Sequence, residues 1–248
     1  MTLKHRLAAR DLVIGSFVKT PHPAVVELLG QSALDCLVLD AEHAPFDRSQ
    51  LDMCILAARA TGMPVLVRPQ AATAERILDA LDLGADGVIL PHIRTARCAE
   101  DAVRHCFYGP GGRGFAGSTR AAGYTSKGMA KTRADGAGVV VIAQIEDIEA
   151  LDEIEAIASI EGIDALFIGR ADLTVALGAE SPDDAIVIDA VRKICRAAAA
   201  ANRPVGMFLA RPSDVPHWQE ECASLFLLSS DQEFLLKGAA ALCAEVKP

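Results

Sequence analysis

Residues 37–47 read LVLDAEHAPFD, an apolar run that passes directly into three titratable side chains. The run 37–39 contains no polar residue, which is typical of a strand buried on both faces. Asp40, Glu42 and His43 follow at once. A parallel strand that ends in such residues places them at the edge of the sheet where ligands bind.

The same apolar pattern recurs along the chain, and a helix-like segment follows each run. The runs are 12–17, 36–40, 64–68, 87–90, 139–144, 165–168, 204–208 and 224–228. The clearest helical segments are 49–62, 73–87, 147–162 and 183–204. Eight strands that alternate with helices over 248 residues predict an α/β fold, a (β/α)8 TIM barrel formed by a single domain, 1–248. An open doubly wound sheet is the alternative, but it usually has fewer strands.

The composition excludes several classes of protein. A formal net charge of -9 and only 4% aromatic residues disfavour nucleic-acid binding, which needs clustered cations and stacking side chains. No apolar run is long enough for a membrane span, and the N-terminus lacks the apolar segment of a signal peptide. The seven cysteines form no CxxC pair, and most lie in apolar runs, as buried free thiols do. A reducing, cytoplasmic location is therefore expected.

A barrel places its chemistry at the carboxyl ends of its strands. Polar residues stand at five of these ends: Asp40, Glu42 and His43 after the second run, Arg68 at the third, His92 after the fourth, Gln144 and Glu146 at the fifth, and Gly169, Arg170 and Asp172 after the sixth. We expect these side chains to meet at one rim.

Each of these residues has a chemical and a structural interpretation. Glu146 and Asp172 follow adjacent strands and suit a hard divalent cation, or they cap the helices that follow. His43 is a candidate general acid or base, or a solvated loop residue. Arg68 suits a carboxylate or an enolate oxygen, or it forms a structural ion pair with Asp40.

Two further stretches bear on function. The loop 107–137 is rich in Gly, Arg and Ser, and its GPGGRG segment, 109–114, is a weak match to a phosphate cradle. A mobile or subunit-contacting loop is the better interpretation. Lys19 alone among the lysines lies near a strand end, so carbonyl chemistry through a metal is favoured over a Schiff base.

Taken together, the motifs resemble the HpcH/HpaI family of class II, metal-dependent pyruvate aldolases. The motifs are LDCLVLDAEHAPFD, PVLVRPQ, ILDALDLGADGVILPHIRTA, YGPGGRG, VVVIAQIEDIEALDEI and GIDALFIGRADLTVALG, in order over roughly 10–230. The resemblance implies a lyase that cleaves a 4-hydroxy-2-oxo acid to pyruvate and an aldehyde through a metal-stabilised enolate. It also implies Mg2+, Mn2+ or Co2+ as cofactor and a homo-oligomer, a hexamer built as a trimer of dimers. The C-terminal helix, 231–246, is apolar enough to be exchanged between subunits.

The resemblance also implies a role for each site residue. His43 is the acid/base residue, Asp82 its partner in a His-Asp dyad, and Arg68 the ligand of pyruvate and its enolate. Glu146 and Asp172 are the metal ligands, and Gln144, Gly169, Arg170 and Ala171 bind substrate.

Arg170 departs from the family pattern, which usually reads FIGPADL with an uncharged residue at this place. An inward Arg170 would bind a second substrate carboxylate, and an outward one would pair with a surface acid. Arg120 and Tyr124 could also meet an anionic substrate. The inward arrangement is the basis of an alternative function, a citrate-synthase-like condensation of an enolised acyl-CoA or 2-oxo acid with oxaloacetate.

Overall fold

The computed structural model describes residues 1–247 and contains eight parallel strands that close into a barrel, in the order β1 to β8 with β8 beside β1. The strands are β1 Val13–Val18, β2 Cys36–Asp40, β3 Val65–Arg68, β4 Gly87–Leu90, β5 Val140–Ile145, β6 Ala165–Ile168, β7 Val205–Leu209 and β8 Ala223–Ser230. Each predicted run overlaps one of these strands. The predicted (β/α)8 barrel is therefore confirmed.

The helices surround the barrel and connect its strands. They are α1 Leu3–Ala8, α2 Pro23–Leu29, α3 Arg48–Thr61, α4 Ala74–Asp82, α5 Ala96–Cys106, α6 Met129–Gly136, α7 Ile148–Asp152, α8 Ile154–Ser159, α9 Arg170–Ala176, α10 Ala185–Ala200, α11 Val215–Glu221 and α12 Asp231–Val246. None of the helices among residues 1–247 is both long and apolar enough to cross a bilayer.

Two predicted segments differ from the structure in detail. The segment 147–162, predicted as one helix, is divided into α7 and α8 at Glu153, whose backbone leaves the helical region. The predicted loop 107–137 contains α6, so its irregular part is shorter. This part starts at the amino-terminal rim, where α5 ends, and its Arg113 is buried against Asp82.

Apolar side chains form two layers around the strands. Side chains that point inward, among them Val38, Leu66 and Phe167, fill the barrel, while those that point outward pack against the helices. Leu3 and Leu7 of α1 belong to the inner layer. Helix α1 therefore closes the amino-terminal end of the barrel, and the carboxyl end stays open to solvent.

The strand register places the polar rim residues side by side. Asp40, the last residue of β2, lies opposite Arg68, the last residue of β3. On the other side of the barrel, Ile145 of β5 lies opposite Ile168 of β6. The next residues, Glu146 and Gly169, therefore leave the sheet as neighbours.

The cysteines differ from the expectation of free thiols. Cys195 in α10 and Cys222, directly before β8, form a disulfide, with their Cα atoms 5.8 Å apart. The two residues are separated by 27 positions, a spacing that gives no sign of their proximity in the fold. Free thiols within residues 1–247 are those of Cys36, Cys54, Cys98, Cys106 and Cys243.

Candidate active site

A cavity of about 600 Å3 opens at the carboxyl ends of the strands. Its wall includes Lys19 after β1, His43 after β2, Arg68 at the end of β3 and Asp172 in the first turn of α9. Gln144, Gly169, Arg170 and Ala171 also line it. The structure therefore brings eight of the predicted rim residues or their neighbours to one concave surface, as a barrel fold requires of a site.

Arg68 is fixed by a carboxylate on the neighbouring strand. Its Nε and Nη2 atoms donate to the two oxygens of Asp40, at 3.0 and 2.8 Å, and its guanidinium lies over the Phe17 ring, 4.5 Å from the centroid. Asp40 is fully buried. Burial acts to raise its pKa, but the bonds from Arg68 hold the pKa of Asp40 below its ordinary value. The predicted ion pair is present, and it orients Arg68 toward the cavity.

Glu42 joins Arg68 to two imidazoles. Its oxygens lie 3.2 Å from Arg68 Nε, 3.6 Å from His43 Nε2 and 3.3 Å from His92 Nε2. Burial raises the pKa of Glu42, against the opposing charge of Arg68. Glu42 is thus a carboxylate that contacts both the guanidinium and the acid/base candidate.

Glu146 is a buried carboxylate held by its neighbours. Its Oε1 accepts the backbone N–H of His92 at 2.8 Å, and its Oε2 accepts the side-chain amide of Gln144. A Cβ added at Gly169 would lie 2.8 Å from Glu146 Oε2 and 3.6 Å from Asp172 Oδ2. Glycine at 169 therefore leaves a cradle that two carboxylate oxygens flank.

This cradle suits a divalent cation. Asp172 makes no hydrogen bond or ion pair with any of residues 1–247, so its oxygens are available as ligands. Two carboxylates and the open side of a cavity give hard oxygen donors plus positions for water or substrate, as Mg2+ or Mn2+ requires. The buried Oε1 of Gln144 also lacks a hydrogen-bond partner within the described chain.

A second group of donors lies on the other side of Glu146. Donor atoms of Glu42, His92 and Glu146 all fall within 4.8 Å of one another. We favour the pair Glu146 and Asp172 for a metal, because the Arg68 guanidinium beside Glu42 already supplies the positive charge there.

His92 is a residue whose contacts the sequence did not reveal. Its Nδ1 lies 3.0 Å from Asp147 Oδ2 and 3.4 Å from Glu146 Oε1. Burial acts to lower its pKa, but the bond to Asp147 and the surrounding carboxylates raise the pKa of His92. Its φ of 53° is in the left-handed region, which a non-glycine residue adopts at a cost. This conformation aims the His92 N–H at Glu146.

The structure corrects the predicted His-Asp dyad within one chain. Asp82 is the last residue of α4, which runs from the carboxyl end of β3 back to the amino-terminal rim. Its carboxylate binds Arg113 at 2.5 Å. His43 stands at the opposite rim, exposed, with its backbone N–H donating to Asp40. A helix-end residue at the far rim cannot contact the mouth of the same barrel.

Arg170 combines features of its two predicted arrangements, because it lines the cavity but pairs with an exposed acid, Asp183. Its side chain is buried, its Nη2 donates to the Pro182 carbonyl at 2.7 Å and to Asp183 at 3.2 Å, and its guanidinium lies over Trp218. The residue lines the cavity, but its charge is already paired. It fixes the segment before α10 rather than offering a free cation.

Arg120 and Tyr124 do not line the cavity. Arg120 binds Asp52 of α3, and its guanidinium lies 5.8 Å from the Tyr124 ring centroid. The expectation that these two residues meet an anionic substrate is therefore wrong within one chain.

The chain is similar to proteins of one family over most of its length. Residues 13–237 match the family model described as HpcH/HpaI aldolase/citrate lyase. A 5-keto-4-deoxy-D-glucarate aldolase from Escherichia coli is 33% identical over 238 residues, which is 92% of this chain and 90% of that protein.

Two solved structures share the whole architecture. An HpcH/HpaI aldolase/citrate lyase family protein from Burkholderia cenocepacia is 30% identical, with a TM-score of 0.94 and 99% coverage of both chains. The citrate synthase SbnG is 29% identical, with a TM-score of 0.88 and coverage of 99% of this chain and 97% of that one.

Proposed function

Because the chain belongs to the HpcH/HpaI aldolase/citrate lyase family and is a carbon–carbon lyase of the class II aldolase type, we propose that it cleaves a 4-hydroxy-2-oxo acid to pyruvate and an aldehyde. One observation supports this most directly. Arg68, fixed by Asp40, lines the same cavity as Asp172, and the buried Glu146 lies beside Asp172 at the Gly169 cradle. A cation fixed near a hard-metal site is what an enolate oxygen needs.

The proposed metal ligands are Glu146 and Asp172, and Mg2+, Mn2+ or Co2+ are the proposed ions. Such a cation, when bound, would act as a Lewis acid toward the keto and carboxylate oxygens of the substrate. Gln144 holds Glu146 in place, and the backbone of Gly169 and Ala171 forms the adjoining wall for the pyruvyl carboxylate.

Arg68 is the proposed stabiliser of the developing negative charge. As the C3–C4 bond breaks, its electron pair passes to C3 and the charge is delocalised onto the C2 oxygen. A guanidinium already oriented by Asp40 needs no reorganisation at that moment. Protonation at C3 then gives pyruvate.

His43 is the proposed acid/base residue. Its imidazole takes the proton of the C4 hydroxyl as the aldehyde forms, and the exposed ring can exchange that proton with water. Glu42, 3.6 Å from His43 Nε2, stabilises the imidazolium that results. Glu42 thereby supplies a carboxylate beside His43, which Asp82 does not supply within the chain.

The alternative condensation with oxaloacetate is not favoured. It depended on Arg170 as a free cation, and Arg170 is paired with Asp183 and the Pro182 carbonyl. The Escherichia coli relative is named as an aldolase for a sugar diacid. We propose a substrate of that 4-hydroxy-2-oxo acid class for this chain.

The cytoplasm and a hexamer remain predictions for this enzyme. Helix α12 exposes Phe234, Leu235, Leu236 and Leu242 to solvent in the single chain. Apolar side chains in such a row suit packing against another subunit, as the family resemblance implies.

The test is deuterium exchange at the pyruvate methyl group, followed by proton NMR with Mg2+ or Mn2+ and then with EDTA. We expect metal-dependent exchange that Arg68→Ala and Glu146→Ala abolish, because both remove stabilisation of the enolate. Asp135→Asn on the remote helix α6 is the control and should exchange as the wild type does. Absence of exchange in folded, metal-loaded wild-type protein would refute the proposed function.

A further inference from the structure

The cavity wall contains more charged groups than the proposed reaction uses. Most of them are paired among themselves. Arg170 and Arg211 both bind Asp183, Arg211 also binds Asp214, and Glu233 binds Lys237. Once these pairs and the Arg68 network are set aside, two charged side chains of the wall make no side-chain hydrogen bond within residues 1–247, Asp172 and Lys19, although Lys19 lies within ion-pair distance of Asp40.

The ammonium group of Lys19 has unused hydrogen-bonding capacity. Its Nζ lies 3.4 Å from Asp40 Oδ2 and donates no hydrogen bond within the described chain. That oxygen already accepts Arg68 Nη2 at 2.8 Å, and the other oxygen accepts Arg68 Nε and the His43 N–H. Asp40 thus faces two cations, of which Arg68 donates two hydrogen bonds to it and also contacts Glu42 at 3.2 Å. The N–H groups of the Lys19 ammonium remain available to a ligand.

The backbone of Lys19 is held in place by the start of α12. The carboxylate of Asp231 accepts the N–H of Lys19 at 2.6 Å and the N–H of Thr20 at 3.0 Å. Asp231 is 2% exposed, so this anchor is shielded from water. A flexible side chain on a fixed backbone is suited to a specific contact, because less entropy is lost when it is ordered.

The barrel order places Lys19 across the cavity from the candidate metal ligands. Lys19 follows β1, whereas Glu146 follows β5, four strands away in a ring of eight. A substrate that spans the cavity with its pyruvyl end at Glu146 and Asp172 would place its other end near β8 and β1. The wall there also carries Phe208 and Ser230.

We propose that Lys19 is a specificity-determining residue that binds a second carboxylate, at the end of the substrate that becomes the aldehyde. This inference rests on the proposed function and narrows it to diacid substrates. Arg170 and Arg211 are less suitable for this contact, since a ligand would have to displace Asp183 from either of them. The Lys19 ammonium donates no hydrogen bond within the described chain, so it can form a charge-assisted hydrogen bond to a ligand while it keeps its 3.4 Å contact with Asp40.

The first experiment measures binding rather than turnover. Calorimetry with Mg2+ compares 2-oxoglutarate with 2-oxopentanoate, two five-carbon 2-oxo acids that differ at the distal carboxylate. We expect the wild type to prefer 2-oxoglutarate by at least about tenfold, as one charge-assisted bond allows. Lys19→Met should lose that preference and Lys19→Arg should keep it. Lys131→Met, on the exposed side of α6, is the matched control.

The second experiment measures selectivity in the aldol direction. Tartronate semialdehyde and glyceraldehyde differ in a carboxylate against a hydroxymethyl group, and each is added to pyruvate. The ratio of their kcat/KM values should fall about 10- to 100-fold in Lys19→Met, from the loss of one charge-assisted contact. A smaller fraction of folded protein lowers both kcat/KM values equally, so it does not change their ratio.

The outcomes separate the two proposals. A wild-type chain without preference for 2-oxoglutarate, or a Lys19→Met variant that keeps the wild-type preference and ratio, would overturn the role of Lys19. Preference without any exchange at the pyruvate methyl group would refute the lyase reaction and leave the anion contact at Lys19 supported.

Discussion

The two rims of the barrel both carry carboxylates, but the carboxylates have different contacts at each rim. At the amino-terminal rim, Asp35, Asp86 and Asp164 each stand directly before an even-numbered strand. Their carboxylates accept the backbone N–H of the preceding strand: Ile14 at 2.8 Å, Val65 at 2.9 Å and Val141 at 2.9 Å. At the carboxyl rim, Glu146 and Asp172 flank an open cradle.

The difference shows what separates a structural charge from a functional one. An amino-rim aspartate both accepts from and donates to the same residue, as the N–H of Asp164 also binds the Val141 carbonyl at 2.7 Å. The Lys4 ammonium donates to the same oxygen of Asp164, Oδ2, at 2.9 Å. Asp172 has no such partner within residues 1–247. A satisfied carboxylate stabilises the fold, whereas an unsatisfied one at the mouth of a barrel can bind a ligand.

The largest expected effect is the loss of turnover when a carboxylate of the carboxyl rim is replaced. Glu146→Gln keeps an acceptor for the His92 N–H but removes the charge, so metal affinity and turnover should fall, turnover by about 10^3-fold. Thermal unfolding should change little, because the amide keeps an acceptor for the buried His92 N–H. Steady-state kinetics and calorimetric melting measure the two quantities. A large loss of stability without loss of turnover would contradict the assignment.

The next effect is on stability at the other rim. Asp164→Ala leaves the Val141 N–H and the Lys4 ammonium without their acceptor. We expect a loss of about 2–3 kcal/mol in unfolding free energy, as for other unsatisfied donors. Denaturant titration measures it, and kcat/KM per folded molecule should stay within about twofold, since such effects are local. Turnover lost in a stable Asp164→Ala protein would break the comparison.

The smallest expected effect is a difference between Asp35 and Asp86, both at the amino-terminal rim, in how each makes stability depend on pH. Burial acts to raise the pKa of Asp35, but the hydrogen bonds from Arg6 and Ile14 hold it below the ordinary value. Asp86 has no such cation bonded to it, and burial raises its pKa despite the Val65 N–H. The stabilisation by Asp35 is present above its unfolded pKa and is lost as pH falls through the lower folded pKa. For Asp86 the sign is reversed.

The measurement is the melting temperature of two variants across the acid range. Acidification should destabilise Asp35→Asn less steeply than the wild type, because the ion pair with Arg6 is already gone. Acidification should destabilise Asp86→Asn more steeply than the wild type, because the substitution removes a carboxyl group whose protonation stabilises the folded state. Equal slopes in both variants would show that the rim aspartates do not differ in this way.

The sequence predicted the strands because each is buried on both faces. A run such as 165–168 has no polar position, so its start and end are visible as changes in composition. The rim residues followed from the topology, since every strand of a (β/α)8 barrel ends at the same side. Asp40, Arg68 and Glu146 could therefore be placed at one site without coordinates.

The remaining features depend on distances that spacing does not give. The left-handed backbone of His92 directs its N–H to Glu146. Nothing in the sequence Pro91-His92-Ile93 indicates that conformation. The role expected of Asp82 came from the resemblance alone, and its pairing with Arg113, 31 positions away, could not be derived from spacing. For Arg170 the sequence left an inward and an outward arrangement open, because nothing in it shows that Asp183, beyond α9, is the partner.

The aspartates at 35, 86 and 164 divide the barrel into units. Their hydrogen bonds link β1 to β2, β3 to β4 and β5 to β6. At the corresponding position before β8 stands Cys222, which forms the disulfide with Cys195. The barrel is therefore modular. A circular permutant opened between β2 and β3, or between β4 and β5, keeps both partners of each of these three hydrogen bonds close together in sequence. A permutant opened between β3 and β4 places Asp86 and Val65 near opposite ends of the chain, so their hydrogen bond must form between residues distant in sequence.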